Sequence, residues 1–324
     1  MENVPGARRH VIEVEGLTKR YGAHLAVDDV GFTVAEGETF GVLGVNGAGK
    51  TTTVECLQGL RRPDGGRMRV LGLDPRTAGS QLRALVGSQL QDSALPDRLR
   101  VDEAVLLFGD GDRRSADQLL DTWNLAELGR SSFASLSGGQ RQRLFIALAL
   151  LNEPRVVFFD ELTQGLDPLA RGEVWAAIRE VRDRGTTVVL VTHFMDEAEA
   201  LCDRVAVMRG GRIVDAGTPA QLIARHARLT SVTFTPPVSF DPATLATLPG
   251  VDTVERHGER IRVVGTNQLI APVCAAVLGD DQLGPPDLRV HHPDLEDALI
   301  ALISDPGTDG STAAAPGRSL EGVS

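Results

Sequence analysis

Lysine is almost missing from this chain. Lys19 and Lys50 are the only two among 33 cationic residues, so nearly all positive charge is arginine. Lys50 is therefore hard to read as one more solvated surface lysine. Cysteine is scarce too. Cys56, Cys202 and Cys274 are odd in number, scattered and without metal-ligand spacing, which reads as isolated small apolar residues in a reducing compartment. Long apolar runs are absent: "LFIALALL" (144–151) is eight residues, against the roughly 18–20 that span a bilayer. The start, "MENVPGARRH", carries no apolar signal segment. An excess of positive charge is also lacking. The net charge of −11 argues against a nucleic-acid partner held by bulk electrostatics. The expectation is a soluble cytoplasmic protein, with a peripheral membrane role left open.

What is present begins with length. A chain of 324 residues, 42% hydrophobic and 24% charged, can bury a large core and hold more than one domain. "HVIEVEGLTKRYG" and "DDVGFTVAEGETFGVLG" read as two strands, the second ending at Gly44. "GKTTTVECLQGL" reads as a helix leaving a glycine-rich turn, and the pattern is mainly helical from about 75 to 152. The strands "RVVFFD" and "TTVVLVTH" flank a helix from Leu169 to Asp183, which predicts a parallel sheet covered on both faces. "RVAVMRGGRIVDAG" reads as a hairpin turning at Gly210 and Gly211.

The texture changes near Ala227. With a short helix at 241–247, the elements run βαββαβ plus a final helix, an order that permits a ferredoxin-like fold. The expected division is a tail at 1–10, a first domain at 11–225, an accessory α+β domain at 228–304 and a disordered tail at 305–324.

Three short stretches carry chemistry. "GVNGAGKT" (44–51) lies between a predicted strand and a predicted helix. Its glycines let successive N–H groups converge on phosphate oxygens, and the helix start adds partial positive charge. The loop comprises Gly44, Val45, Asn46, Gly47, Ala48, Gly49, Lys50, Thr51 and Thr52; Lys50 would reach the β- and γ-phosphates and Thr51 a Mg²⁺ ion. "FFDELTQGLDP" (158–168) ends a hydrophobic strand in two adjacent carboxylates. Uncompensated, such a pair is costly beside an apolar strand, so it needs a metal, a cationic partner or water. Asp160 would face the Mg²⁺ shell, and Glu161 would act as general base or polariser of the attacking water. In "LSGGQRQR" (136–143), a serine cap and two glycines start a helix and offer a second phosphate-binding surface. One nucleotide has no need of two cradles unless the second serves a partner subunit.

The order phosphate loop, Gln91, LSGGQ, FFDE, GLDP, His193 resembles that of ATP-binding-cassette ATPases over about residues 10–220. The resemblance implies an α/β P-loop fold with a parallel-sheet core, an antiparallel β subdomain and a helical subdomain at about 92–150. It implies ATP and Mg²⁺ as cofactors and a head-to-tail homodimer. In that dimer Ser137, Gly138, Gly139 and Gln140 would meet the partner's nucleotide, and Asp167 would cross the interface. By the same resemblance Tyr21 stacks on adenine, Gln91 senses Mg²⁺ and the attacking water, and His193 contacts the γ-phosphate. Gln89 sits near the same distance as Gln91.

"GLDP", "THFMDEAEALCDR" and the C-terminal extension are similar to subunits beside daunorubicin-resistance-type permeases. They imply a separate permease of about six spans, a peripheral position on the cytoplasmic membrane face and export of a drug, antibiotic or lipid. A cassette ATPase acting on ribosomes, DNA or iron–sulfur assembly, or a nucleotide-dependent regulator, is the alternative. Val45 and Leu162 stand where the family often has proline, and Gln164 where it has a small polar residue. His291 and His292, without further ligands at a known spacing, are assigned to strand or loop structure.

Overall fold

The computed structural model describes residues 9–89, 94–109, 113–236, 240–278 and 287–304. The chain opens with β1 (His10–Tyr21), β2 (His24–Ala35) and β3 (Thr39–Leu43), followed by α1 (Lys50–Leu57) and β4 (Gly65–Val70). Next come α2 (Gly79–Arg83), β5 (Val86–Gln89) and three helices, α3 (Val101–Phe108), α4 (Arg113–Thr122) and α5 (Gly138–Leu150). β6 (Val156–Asp160), α6 (Pro168–Asp183), β7 (Thr187–Thr192) and α7 (Met195–Leu201) alternate, and β8 (Arg204–Arg209), β9 (Arg212–Gly217) and α8 (Pro219–His226) follow. The last elements are β10 (Thr230–Phe234), β11 (Val251–His257), β12 (Arg260–Gly265), α9 (Ile270–Leu278), β13 (Arg289–His291) and α10 (Leu295–Ser304).

A six-stranded sheet in the order β5-β6-β7-β3-β8-β9 forms the centre. It is parallel from β5 through β8, and β9 closes one edge antiparallel, as the glycine hairpin requires. Every residue of β3, β6 and β7 is buried, so these strands need continuous apolar runs rather than alternation. Alternate residues still serve opposite faces. Val157 and Phe159 pack with the helices α3 to α6, whereas Val156 and Phe158 pack with α1 and the β1–β2–β4 sheet.

The region expected as two strands between residues 10 and 44 forms three. Its second predicted strand breaks at Glu36 and Gly37, where Gly37 takes φ 73° and Glu38 Oε2 accepts the Ala35 N–H at 2.7 Å. β2 therefore joins the antiparallel sheet β2-β1-β4, while β3 enters the central sheet. The expectation of helix between 75 and 152 misses β5, a four-residue edge strand with the unpersuasive sequence VGSQ.

β10 to β13 build a separate antiparallel sheet in the order β11-β12-β10-β13. Numbered within that region the order is 2-3-1-4, the ferredoxin-like arrangement of a βαββαβ chain. The first of its two helices is a 3₁₀ turn, Pro242–Thr247, capped by Asp241. α10 departs from that sheet. Its Leu295, Ala298, Leu299 and Leu302 join the core around α3 to α8, and it packs on α7 and α8. Glu199 accepts the Leu295 N–H at its start, and Arg209 donates to the Leu302 carbonyl at its end.

Candidate active site

Parallel strands bring their C-terminal ends to one edge, and here that edge gathers the loop after β3, the carboxylates ending β6 and the histidine after β7. The first is the glycine loop. Gly49 takes φ 101° with its α-carbon so close to the neighbouring backbone that an added Cβ would stand 2.3 Å from the Ala26 carbonyl oxygen. A Cβ at Gly44 would stand 2.4 Å from the Met208 carbonyl oxygen. Only glycine fits either position. α1 starts without a side-chain cap, which leaves its first N–H groups for an anion.

Lys50 is buried, and its ammonium donates to the carbonyls of Gly44 at 2.8 Å and Val45 at 3.2 Å. Burial lowers its pKa, while Glu161 and Asp160 work the other way by stabilising the charge.

The two carboxylates diverge. Asp160 is buried at the strand end, and its pKa is pushed up to about 6, chiefly by desolvation, against a hydrogen bond from the Thr51 side chain. Its Oδ1 is buried with no hydrogen-bond partner among the described residues. Glu161 turns the other way because its backbone adopts φ 51°, an uncommon left-handed conformation for a residue with a side chain. Its N–H still donates to the Val191 carbonyl at 2.9 Å, which extends the β6–β7 ladder by one bond. Glu161 Oε1 lies 3.1 Å from His193 Nδ1 and 4.0 Å from Lys50 Nζ. Leu162 then points into the core and is fully buried. Where a proline would stiffen this turn by its ring, leucine anchors it by packing.

Tyr21, Asn46, Gly47, Gly49, Lys50, Thr51, Thr52 and Glu161 line one open cavity of about 370 Å³. Tyr21 is 40% exposed at its rim, flanked by Lys19 and Arg61 at 5.5 and 5.3 Å from the ring centre. His24, which the sequence reading missed, lines the same cavity, because the β1–β2 turn pairs it with Tyr21. Only the closeness of His24 to Tyr21 in "YGAH" could have signalled it.

Ser137 caps α5 by accepting the Gln140 N–H at 3.3 Å, and Gln140 Oε1 accepts the Ser137 N–H at 2.8 Å. Gly139 lets α5 approach α6; a Cβ there would stand 3.2 Å from that of Ala170. Asp167 caps α6, accepting from Leu169 and Ala170 at 2.9 and 3.0 Å. These groups lie outside the cavity around Lys50. Gln91 lies outside the described residues; Gln89 is buried on β5. His291 ends β13 and hydrogen-bonds Asp297 at 2.9 Å, within the cap that starts α10.

A family model described as "ABC transporter" matches residues 27–164. A daunorubicin resistance ATP-binding protein of Streptomyces coeruleorubidus is 44% identical over 220 residues, 66% of this chain and 70% of that protein. A Nod factor export ATP-binding protein I of Paraburkholderia xenovorans is 39% identical over 259 residues, 77% of this chain and 84% of that protein. Among solved structures, an ATP-binding subunit of an ABC transporter superposes with a TM-score of 0.60 at 29% identity, covering 66% of this chain and 92% of that one. Another, cbiO1 from Clostridium perfringens, gives a TM-score of 0.61 at 29% identity, covering 66% and 91%.

Proposed function

The chain belongs to the ATP-binding subunits of ABC exporters, and we propose that it hydrolyses ATP as a head-to-tail homodimer that drives a separate membrane permease. The observation that carries the reading is that Glu161, which lines the cavity with Lys50, has its Oε1 3.1 Å from His193 Nδ1 and 4.0 Å from Lys50 Nζ. Lys50 binds phosphate oxygens in place of its present carbonyl partners. Glu161 takes the proton of the attacking water, and His193, held to the Oε1 of that carboxylate through Nδ1, fixes its direction and meets the γ-phosphate. Tyr21 receives the adenine ring.

Mg²⁺ fits the donor set, since the unpartnered buried Asp160 Oδ1 and the Thr51 hydroxyl are hard oxygen groups beside the phosphate loop. Thr51 and Asp160, with Gln91, would hold the ion, and when bound it would supply positive charge against the phosphate oxygens. Ser137, Gly138, Gly139 and Gln140 close on the nucleotide of the partner subunit, and Asp167 lies at the shared interface. That none of them lines the cavity around Lys50 of their own chain supports a second copy as their target.

No helix among the described residues is long and apolar enough to cross a membrane. A permease of about six spans supplies the path, and this subunit works at the cytoplasmic face. The relatives' roles in daunorubicin resistance and Nod factor export support a drug, antibiotic or lipid as the cargo.

The test is Glu161→Gln with ATP and Mg²⁺. Turnover should stop and light scattering should report a doubled mass. A variant that stays monomeric, or that hydrolyses ATP at the wild-type rate, overturns the reading.

A further inference from the structure

Glu197 is fully buried in the first turn of α7, four residues after His193. Its neighbour Asp196 is the one that faces outward, and it binds Arg171 of α6 at 2.8 Å. A helix start favours acids at its surface, which accounts for Asp196 and not for a carboxylate pressed into the interior.

The partners of Glu197 come from three other segments. Trp175 Nε1 of α6 donates to Glu197 Oε1 at 3.2 Å. The hydroxyl of Thr192, at the end of β7, and that of Thr163, in the turn after Glu161, also act on the carboxylate. The Thr163 contact is looser than a full hydrogen bond: Thr163 Oγ1 and Glu197 Oε2 are each buried without a close partner. Thr192 in turn accepts the Phe194 N–H at 3.0 Å, so it brackets His193 from both sides. Burial raises the Glu197 pKa, and these three donors oppose the rise.

Thr192 immediately precedes His193, and Thr163 follows Glu161 by two residues. Resting on the assignment of Glu161 and His193 above, we infer that Glu197 is a positioning residue for ATP hydrolysis. It ties the two segments that carry the Glu161–His193 pair to each other and to α6, the helix that Asp167 starts. Among the described residues its hydrogen-bonding partners include neither Lys50 nor the glycine loop, so it sets the geometry of the hydrolytic pair and leaves nucleotide binding alone. A displacement of about 1 Å in such a pair is enough to cost up to about a hundredfold in rate.

The experiment uses the full chain and measures kcat, affinity for a fluorescent ATP analogue and melting temperature for Glu197→Ala, Glu197→Gln and Glu161→Gln. Glu197→Ala should lower kcat about tenfold or more and leave ATP affinity within about twofold. Glu197→Gln should restore most of the rate, because an amide can still accept from Trp175 and its NH₂ can donate to the threonine hydroxyls. In a Trp123→Phe background Trp175 is the sole tryptophan, and its emission should shift with Glu197→Ala and not with Glu197→Gln. Should Glu197→Ala fail to fold, Trp175→Phe removes one donor and keeps the ring. It should lower kcat about two- to tenfold, the worth of one hydrogen bond, at unchanged ATP affinity. A folded Glu197→Ala or Trp175→Phe protein with the wild-type kcat overturns the inference. So does a fall in kcat and affinity in step, or Glu197→Gln as slow as Glu197→Ala. Glu161→Gln separates the two levels: if it keeps wild-type turnover the site assignment itself fails, and if it is dead while Glu197→Ala is unaffected only the role of Glu197 falls.

Discussion

The Glu161 carboxylate and the His193 imidazole are joined across the ends of two neighbouring parallel strands, Oε1 to Nδ1 at 3.1 Å. The β6–β7 register sets the strand ends side by side, and the left-handed backbone at Glu161 turns its side chain toward the histidine. Neither feature alone would make the contact. The histidine ring is held in turn by Phe194, 4.1 Å away between ring centres. Removing the imidazole should therefore free the carboxylate without disturbing the glycine loop. His193→Ala should lower kcat about a hundredfold while ATP affinity changes by no more than about threefold. Steady-state phosphate release together with a nucleotide titration checks this, and a parallel loss of both would contradict it.

Asp160 predicts a pH dependence. Burial raises its pKa to about 6, so over the acid range the native chain holds a proton that the unfolded chain has released. That contribution to stability is present below the unfolded carboxyl value and is lost as pH rises through about 6. On the proposed assignment, Mg²⁺ would need the ionised form of Asp160 and compete with the same proton. The rise in melting temperature given by Mg²⁺ with ATP should be large above about pH 7 and small below about pH 5. Asp160→Asn should remove most of the difference, and an equal Mg²⁺ effect at both pH values in the wild type would contradict the assignment.

Leu162 should act as a packing anchor. It has no exposed surface, and Leu162→Ala leaves a cavity beneath the turn that carries Glu161. The expected loss is about 2–5 kcal/mol of folding stability, with Leu162→Met costing less than about 1.5 kcal/mol. Urea unfolding measures both, and an alanine variant as stable as wild type would show that the turn holds without the side chain.

Gly49 should tolerate no side chain. A Cβ there would overlap the Ala26 carbonyl at 2.3 Å, in a backbone conformation of φ 101° that alanine adopts reluctantly. Gly49→Ala should therefore displace the loop and lower ATP affinity about tenfold or more. Isothermal titration reports it, and wild-type affinity would mean that the loop has slack the geometry denies. Gly47, with nothing within 4 Å of its own Cβ position, should be the milder substitution of the two.

The loop and carboxylate motifs were readable because each is a set of residue types at a fixed local spacing. Glycines at 44, 47 and 49, Lys50, Thr51, Asp160 and Glu161 announce themselves in the primary sequence. The parallel sheet was readable too, since β3, β6 and β7 are buried on both faces and must be apolar throughout. Short elements were not. β5 has four residues and no periodicity to detect, and the break between β2 and β3 rests on one turn around Gly37. His24 was missed because its place at the cavity depends on strand pairing. The small sheet was legible as an order of elements, yet the helix that ends it, α10, packs elsewhere, and amphipathic character does not name the surface that a helix will cover.

By itself, then, the sequence determined the motifs: a glycine-rich loop ending in Lys50 and Thr51, two adjacent carboxylates at a strand end and a second glycine-started helix. Those follow from what each side chain can do, and local spacing is enough to carry them. Tertiary structure alone decided the relations between distant segments. It set the contact of Glu161 with His193, the burial of Leu162 that replaces a stiffening proline, and the enclosure of Glu197 among Thr163, Thr192 and Trp175. The physical reason is that hydrogen bonds and packing act through space over a few ångströms. Which residues come that close is set by strand register and by the face each helix buries.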